Sequence, residues 1–132
     1  MSGTAVPRLV DGAEAEGYSI GAEGQGGFVR RLISRDQSSR VLLGLYRLDP
    51  GQRTTFELPL ENGIEEETYY LLGGRLAVRW RGGELVVERG QAIFFPVGGS
   101  YAIETVGSTP VELIWTGFPA PLPLSGAGDS SP

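Results

Sequence analysis

The chain is predicted to fold as an all-β sandwich or barrel. Three observations point there. Short apolar and β-branched runs recur at roughly 8–12-residue intervals, the rhythm of strands in such folds. Gly, Pro, Asn and Asp punctuate the gaps between them as turn signals. No stretch carries the apolar period of an amphipathic helix. With 132 residues, the chain has the length of one domain.

The elements follow in order. Residues 1–26, rich in Gly, Ala and Glu, read as a flexible N-terminal arm with one short strand around Pro7–Val10. Residues 27–118 carry the strand texture of the barrel. Phe28–Ser34 and Arg40–Leu48 are dense in Val, Ile, Leu and aromatics, and the second stops at the Asp49-Pro50-Gly51 turn. Arg53–Leu58 follows, then a loop over residues 59–66. Thr68–Leu72 and Arg75–Trp80 flank the pair Gly73-Gly74, and Arg81-Gly82-Gly83 joins Arg75–Trp80 to Glu84–Glu88 as a hairpin. Gln91–Phe95 stops at Pro96, and Tyr101–Val106 and Val111–Phe118 complete the set. Residues 119–132, rich in Pro, Gly and Ser, read as a flexible tail.

Composition narrows the chemistry. The chain has no Cys and no His, and all 11 of its basic residues are Arg. Thiolate chemistry, imidazole catalysis and Schiff bases through lysine are therefore excluded. Any acid or base must be Asp, Glu or Tyr, or a bound water or metal. A net charge of −5 argues against nucleic acid and anionic membrane surfaces as partners. The N-terminus lacks the basic and apolar segments of a signal peptide, and no apolar run approaches the roughly 20 residues of a membrane span. A cytoplasmic location is expected.

Two runs carry a resemblance. The segment from Gly51 to Gly74 ends in Glu67, six residues, Gly74. The segment from Gly90 reads Gly90, five residues, Pro96, then Gly98. In order and spacing these resemble the two motifs of the cupin family, over roughly residues 40–118. The resemblance implies a cupin-type double-stranded β-helix, a jelly-roll barrel, of the small single-domain kind related to sugar-nucleotide epimerases. It also implies a homodimer, as small cupins often pair through sheet edges and N-terminal arms; exposed edges need covering. Cupins usually hold a divalent metal with three His and one Glu. Here only the Glu remains, as Glu67. Counted from Gly51 the first-motif His positions fall on Glu57 and Pro59; counted from Glu67 they fall on Glu61 and Gly63, or on Leu60 and Asn62. The second-motif His falls on Tyr101 and the Asn on Thr105. The resemblance thus implies the architecture without its metal-binding histidines.

Strand alternation selects candidates, because side chains two apart share a face. An inward Glu67 brings Tyr69 and Leu71 with it; an inward Tyr101 brings Ile103 and Thr105. Arg53 and Glu57 share a face with Thr55 and are expected near the mouth. Trp115 lies on a face with Val111 and Leu113, read first as core and second as a substrate platform. Glu65 and Glu66 are read as a solvated strand entry, and Tyr70 as an ordinary outward strand residue. The expected catalytic residues are Glu67, Tyr69 and Tyr101. The expected substrate contacts are Arg53, Glu57, Glu61, Thr105 and Trp115, with no metal ligand and no cofactor.

Three functions compete. The first is a metal-independent enzyme whose buried carboxyl does non-redox acid–base work, such as isomerisation, cyclisation or dehydration, on a small and largely apolar molecule. The Lys-free, Gly- and Ala-rich composition is associated with GC-rich genomes and so with natural-product biosynthesis. The second is a non-catalytic small-molecule binder or accessory dimer. The third is a metalloenzyme with an oxygen-rich site made from Glu57, Glu61, Glu67 and Tyr101, suited to hard ions.

Overall fold

The computed structural model describes residues 5–38 and 40–119. Ten strands form, in chain order β1 (Gly17–Ser19), β2 (Phe28–Ile33), β3 (Leu42–Leu48), β4 (Arg53–Glu57), β5 (Ile64–Gly73), β6 (Leu76–Trp80), β7 (Gly83–Val87), β8 (Ala92–Phe95), β9 (Ser100–Thr105) and β10 (Val111–Pro119). One 3-10 turn, Ala22–Gly24, follows β1. The strands make a six-stranded sheet ordered β1-β2-β3-β10-β5-β8 and a four-stranded sheet ordered β4-β9-β6-β7. Every strand pairing is antiparallel. Among the described residues no helix is long and apolar enough to cross a membrane.

The two sheets face each other because each strand turns one row of side chains inward. Leu42, Tyr46 and Leu48 do so from β3, Leu76 and Val78 from β6, Tyr101 and Ile103 from β9, and Val111 and Leu113 from β10. Burying such side chains contributes about 1.5–3 kcal/mol each, which is what holds the sheets together. The hairpin of β6 and β7 forms as expected, with Trp80 opposite Gly83. At the end of the first motif, Gly74 sits at φ +76°, and a Cβ there would run 2.4 Å from the Pro110 carbonyl oxygen. Both facts require glycine at that turn.

Three expectations change. The short strand of the arm lies at Gly17–Ser19 rather than around Pro7–Val10. Arm residues also belong to the body of the fold: the Arg53 N–H donates to the Gln25 carbonyl at 2.9 Å, and the Tyr46 hydroxyl donates to the Gly26 carbonyl. β5 begins at Ile64, so Glu65 and Glu66 lie inside the strand rather than in a loop. Opposite them, the pairing steps from Phe118↔Glu66 to Pro119↔Ile64, which leaves Glu65 as an extra residue. That bulge lets Ile64 face inward alongside Glu67, three positions on. The tail expected over 119–132 lies outside the described residues except for Pro119.

Candidate functional site

β5 runs between β10 and the edge strand β8, so its inward row is flanked on both sides by sheet. Glu67 is in that row and is 4% exposed; Tyr69, two residues on, is 3% exposed. Both line a cavity of about 170 Å³. Its walls come from β5, β3 (Tyr46), β4 (Thr54 and Phe56), β10 (Trp115), the arm (Tyr18 and Ile20) and the loop before β5 (Leu60 and Asn62). The lining is mainly apolar and aromatic, with a few polar groups, which is the composition of a small-molecule site. A cavity of about 150 Å³ admits a benzene ring, so this one holds a ring-sized portion of a ligand.

Burial governs the electrostatics. Removal of the Glu67 carboxyl from water raises its pKa from 4.5 to about 7, against a smaller lowering effect of the neighbouring Trp115 indole N–H. At neutral pH the acid and carboxylate forms are both populated. Burial also drives the Tyr69 hydroxyl well above its ordinary value, with the Glu67 charge as the next cause. Tyr69 therefore stays a protonated donor. The Tyr46 hydroxyl is raised in the same way, by burial and then by Glu67. It is committed to the Gly26 carbonyl, and the Tyr101 hydroxyl to the Pro96 carbonyl at 2.7 Å. Among the described residues, Tyr69 makes no such bond to the protein. A buried hydroxyl of this kind has its donor left for a ligand.

Two glycines shape the cavity. Gly44 is the cross-strand partner of Trp115, and Gly117 is the partner of Glu67. A Cβ at Gly44 would come 3.1 Å from Cε3 of the indole, and one at Gly117 would come 2.8 Å from Cζ2. Both side chains are missing where the indole needs space. The ring can then lie along β10 and face the carboxyl.

The structure brings together three of the residues singled out from the sequence: Glu67, Tyr69 and Trp115. It does not bring the others to them. Tyr101 faces inward, but its ring packs 5.4 Å from Phe56 and 5.0 Å from Phe95, centroid to centroid, and it is absent from the cavity wall. Thr105 donates to the Leu48 carbonyl at 3.2 Å, tying β9 to the end of β3. Arg53 and Glu57 point to the outer face of β4, since Thr54 and Phe56 take the inner face. Arg53 borders an open groove with Arg79 and Glu104, and Glu57 borders another with Trp80. Glu61 is exposed in the loop before β5. Tyr46, Thr54, Phe56, Asn62 and Tyr18 were not singled out. Alternation in β3, with Leu42, Tyr46 and Leu48 in phase, was the available signal for Tyr46. Tyr18 sits in the three-residue β1, too short to show an alternation, and Asn62 was reached only as one of the alternative first-motif positions.

The donor set does not fit the metal that the resemblance implies. Glu67 is one carboxylate among apolar and aromatic neighbours, and Glu57 and Glu61 lie away from it. Among the described residues, no group of three or more His, Cys, Asp or Glu side chains could hold an ion. The oxygen-rich site expected from Glu57, Glu61, Glu67 and Tyr101 is therefore not assembled.

Known proteins match this chain in sequence and in fold. The chain is 32% identical over 111 residues to the tetracenomycin polyketide synthase protein TcmJ of Streptomyces glaucescens, covering 82% of this chain and 72% of that one. Its fold is similar to that of a predicted oxalate decarboxylase from Thermotoga maritima, with a TM-score of 0.71, 23% identity, and 85% and 99% of the two chains covered. It is also similar to KdgF from Halomonas sp., with a TM-score of 0.67, 12% identity, and 86% and 96% covered. The family model of the cupin domain matches residues 44–117, the span that holds both motifs and every strand from β4 to β9. On these grounds the chain belongs to the cupin family.

Proposed function

We propose that the protein is a non-redox acid–base enzyme, working without a metal, that enolises a carbonyl compound of polyketide type and so promotes its isomerisation, cyclisation or dehydration. One observation carries the reading: a buried carboxyl with a pKa of about 7 in a ring-sized apolar cavity. The similarity to a polyketide synthase protein supports the substrate class, since polyketides are rich in enolisable carbonyls.

The steps use this chain's own groups. The Glu67 carboxylate removes a proton from the carbon next to a ligand carbonyl. The C–H electron pair moves into the carbonyl, whose oxygen gains charge and accepts a hydrogen bond from Tyr69. Protonated Glu67 then either returns the proton to a different carbon of the extended enolate, which isomerises the compound, or the enolate carbon attacks a second carbonyl of the same molecule. In the second case protonated Glu67 returns its proton to the new alkoxide, and loss of water completes a dehydration. A group with a pKa near the working pH serves both directions.

The test is turnover of poly-β-carbonyl model compounds with and without a chelator. The expected result is conversion unchanged after EDTA treatment, with elemental analysis finding less than one metal ion per chain. Loss of conversion on chelation, restored by a divalent ion, contradicts it. Recovery of every tightly bound compound unchanged would favour the non-catalytic binder.

We also propose that the expected homodimer pairs through the β8 edge of the larger sheet. β8 is an edge of the larger sheet; Phe94 on it is 54% exposed, and Tyr70 and Leu72 of the neighbouring β5 are exposed on the same outer face. A second copy of the chain covering this edge and face would bury all three. Light scattering is then expected to return twice the chain mass for the native protein and a single chain mass for Phe94→Arg. A monomer at every concentration excludes this pairing.

A further inference from the structure

A second cavity, of about 240 Å³, adjoins the first. The two share Tyr18, Asn62, Ile64 and Trp115 as common wall. The inner cavity is mainly apolar and contains Glu67. The outer one is lined by Arg31 from the end of β2 and by Arg35 and Asp36 from the turn that follows. Arg31 lies over the Tyr18 ring, its guanidinium carbon 4.6 Å from the centroid, and Arg35 donates to the Asn62 carbonyl at 2.8 Å. Each guanidinium is thus anchored to a residue of the common wall. Among the described residues, the ion pairs engage Arg47, Arg75 and Arg79 and leave Arg31 and Arg35 outside them. Asp36 is the one carboxylate on this wall, so positive charge is in excess locally although the chain as a whole is acidic.

From this geometry we infer that the outer cavity is an anion subsite, and that the ligand has two ends. A neutral, ring-sized carbonyl end enters the Glu67 cavity, and an anionic oxygen-acid end meets Arg31 and Arg35. This rests on the proposed function for the inner end and adds a recognition element to it. Guanidinium groups anchored by cation–π and backbone contacts are well placed to offer their remaining N–H donors to a carboxylate or phosphate. The two sources of such a group are a free acid and a phosphate-bearing carrier arm joined through a thioester. The outer cavity is adjacent to the inner one rather than remote from it, which favours the free acid.

The probes are 6-hydroxy-2-naphthoate, its neutral methyl ester, and its thioester with 4′-phosphopantetheine. Binding is read by calorimetry on the native protein and on the double variant Arg31→Gln/Arg35→Gln. The acid is expected to bind the native protein at least about tenfold more tightly than the ester, and the double variant to lose that preference while still binding the ester. Tighter binding of the thioester than of the acid, abolished in the double variant, would assign the subsite to a carrier phosphate. Equal binding of acid and ester, an acid preference that survives the double substitution, or no binding of any probe overturns the inference. Native melting temperature and circular dichroism of the variant exclude misfolding, since both side chains are exposed. Glu67→Gln separates the two claims: it should lower turnover by about 10²–10⁴-fold yet keep the acid preference. Failure of the turnover assay alone therefore leaves the subsite result standing on its own.

Discussion

Glu67→Gln is expected to lower turnover of enolisable substrates by about 10²–10⁴-fold, the usual contribution of a positioned general acid or base. The substitution keeps the shape of the side chain and replaces the titrating carboxyl by a neutral amide. Ligand affinity should therefore change little, and the loss should appear in kcat rather than KM. Steady-state kinetics on a model poly-β-carbonyl compound measures the split. Native-like turnover in the variant would remove Glu67 from the chemistry. A rise in KM with kcat intact would make it a binding group only.

The same carboxyl makes stability depend on pH. Its folded pKa, about 7, lies above the value of 4.5 without burial. The folded state then holds the proton more tightly than the unfolded state. The contribution of Glu67 to stability is fully present below about pH 4.5, falls between there and about pH 7, and is gone above that. Over this window the loss is about 3 kcal/mol, at roughly 1.4 kcal/mol per pKa unit. A buried carboxylate is the physical origin: ionisation takes place away from water and away from any fixed cation. Urea denaturation at a series of pH values should show native stability falling relative to Glu67→Gln as the pH rises from 4.5 to 8, and the variant should be the more stable of the two at the alkaline end. Parallel curves for the two proteins would contradict a buried, ionisable Glu67.

Most of the architecture was legible in the sequence. Nine of the ten strands lie on the apolar runs read from the sequence, because each inward row leaves a period-two imprint and each gap carries turn residues. Glu67 and Gly74 could be placed because their spacing is tied to one strand and its exit turn. The phase of β4 was not legible. Arg-Thr-Thr-Phe-Glu alternates without a clear apolar row, so either face could have turned inward; Arg53 and Glu57, expected near the mouth, lie on the outer face. Tyr101 was in phase, yet facing inward is not the same as lining a cavity: its ring fills the core against Phe56 and Phe95. Contributions from the arm, the loop before β5, and the space left by Gly44 and Gly117 depend on contacts between segments distant in sequence. Local pattern does not encode them.

The proposed chemistry requires one buried carboxyl to exchange its proton near neutral pH. Carbon-13 NMR of glutamate side-chain carboxyls through a pH titration, with Glu67→Gln for assignment, measures this directly. A midpoint of about 7 for Glu67 is the result predicted. A midpoint near the ordinary 4.5 would show a solvated or ion-paired carboxylate and would contradict the account.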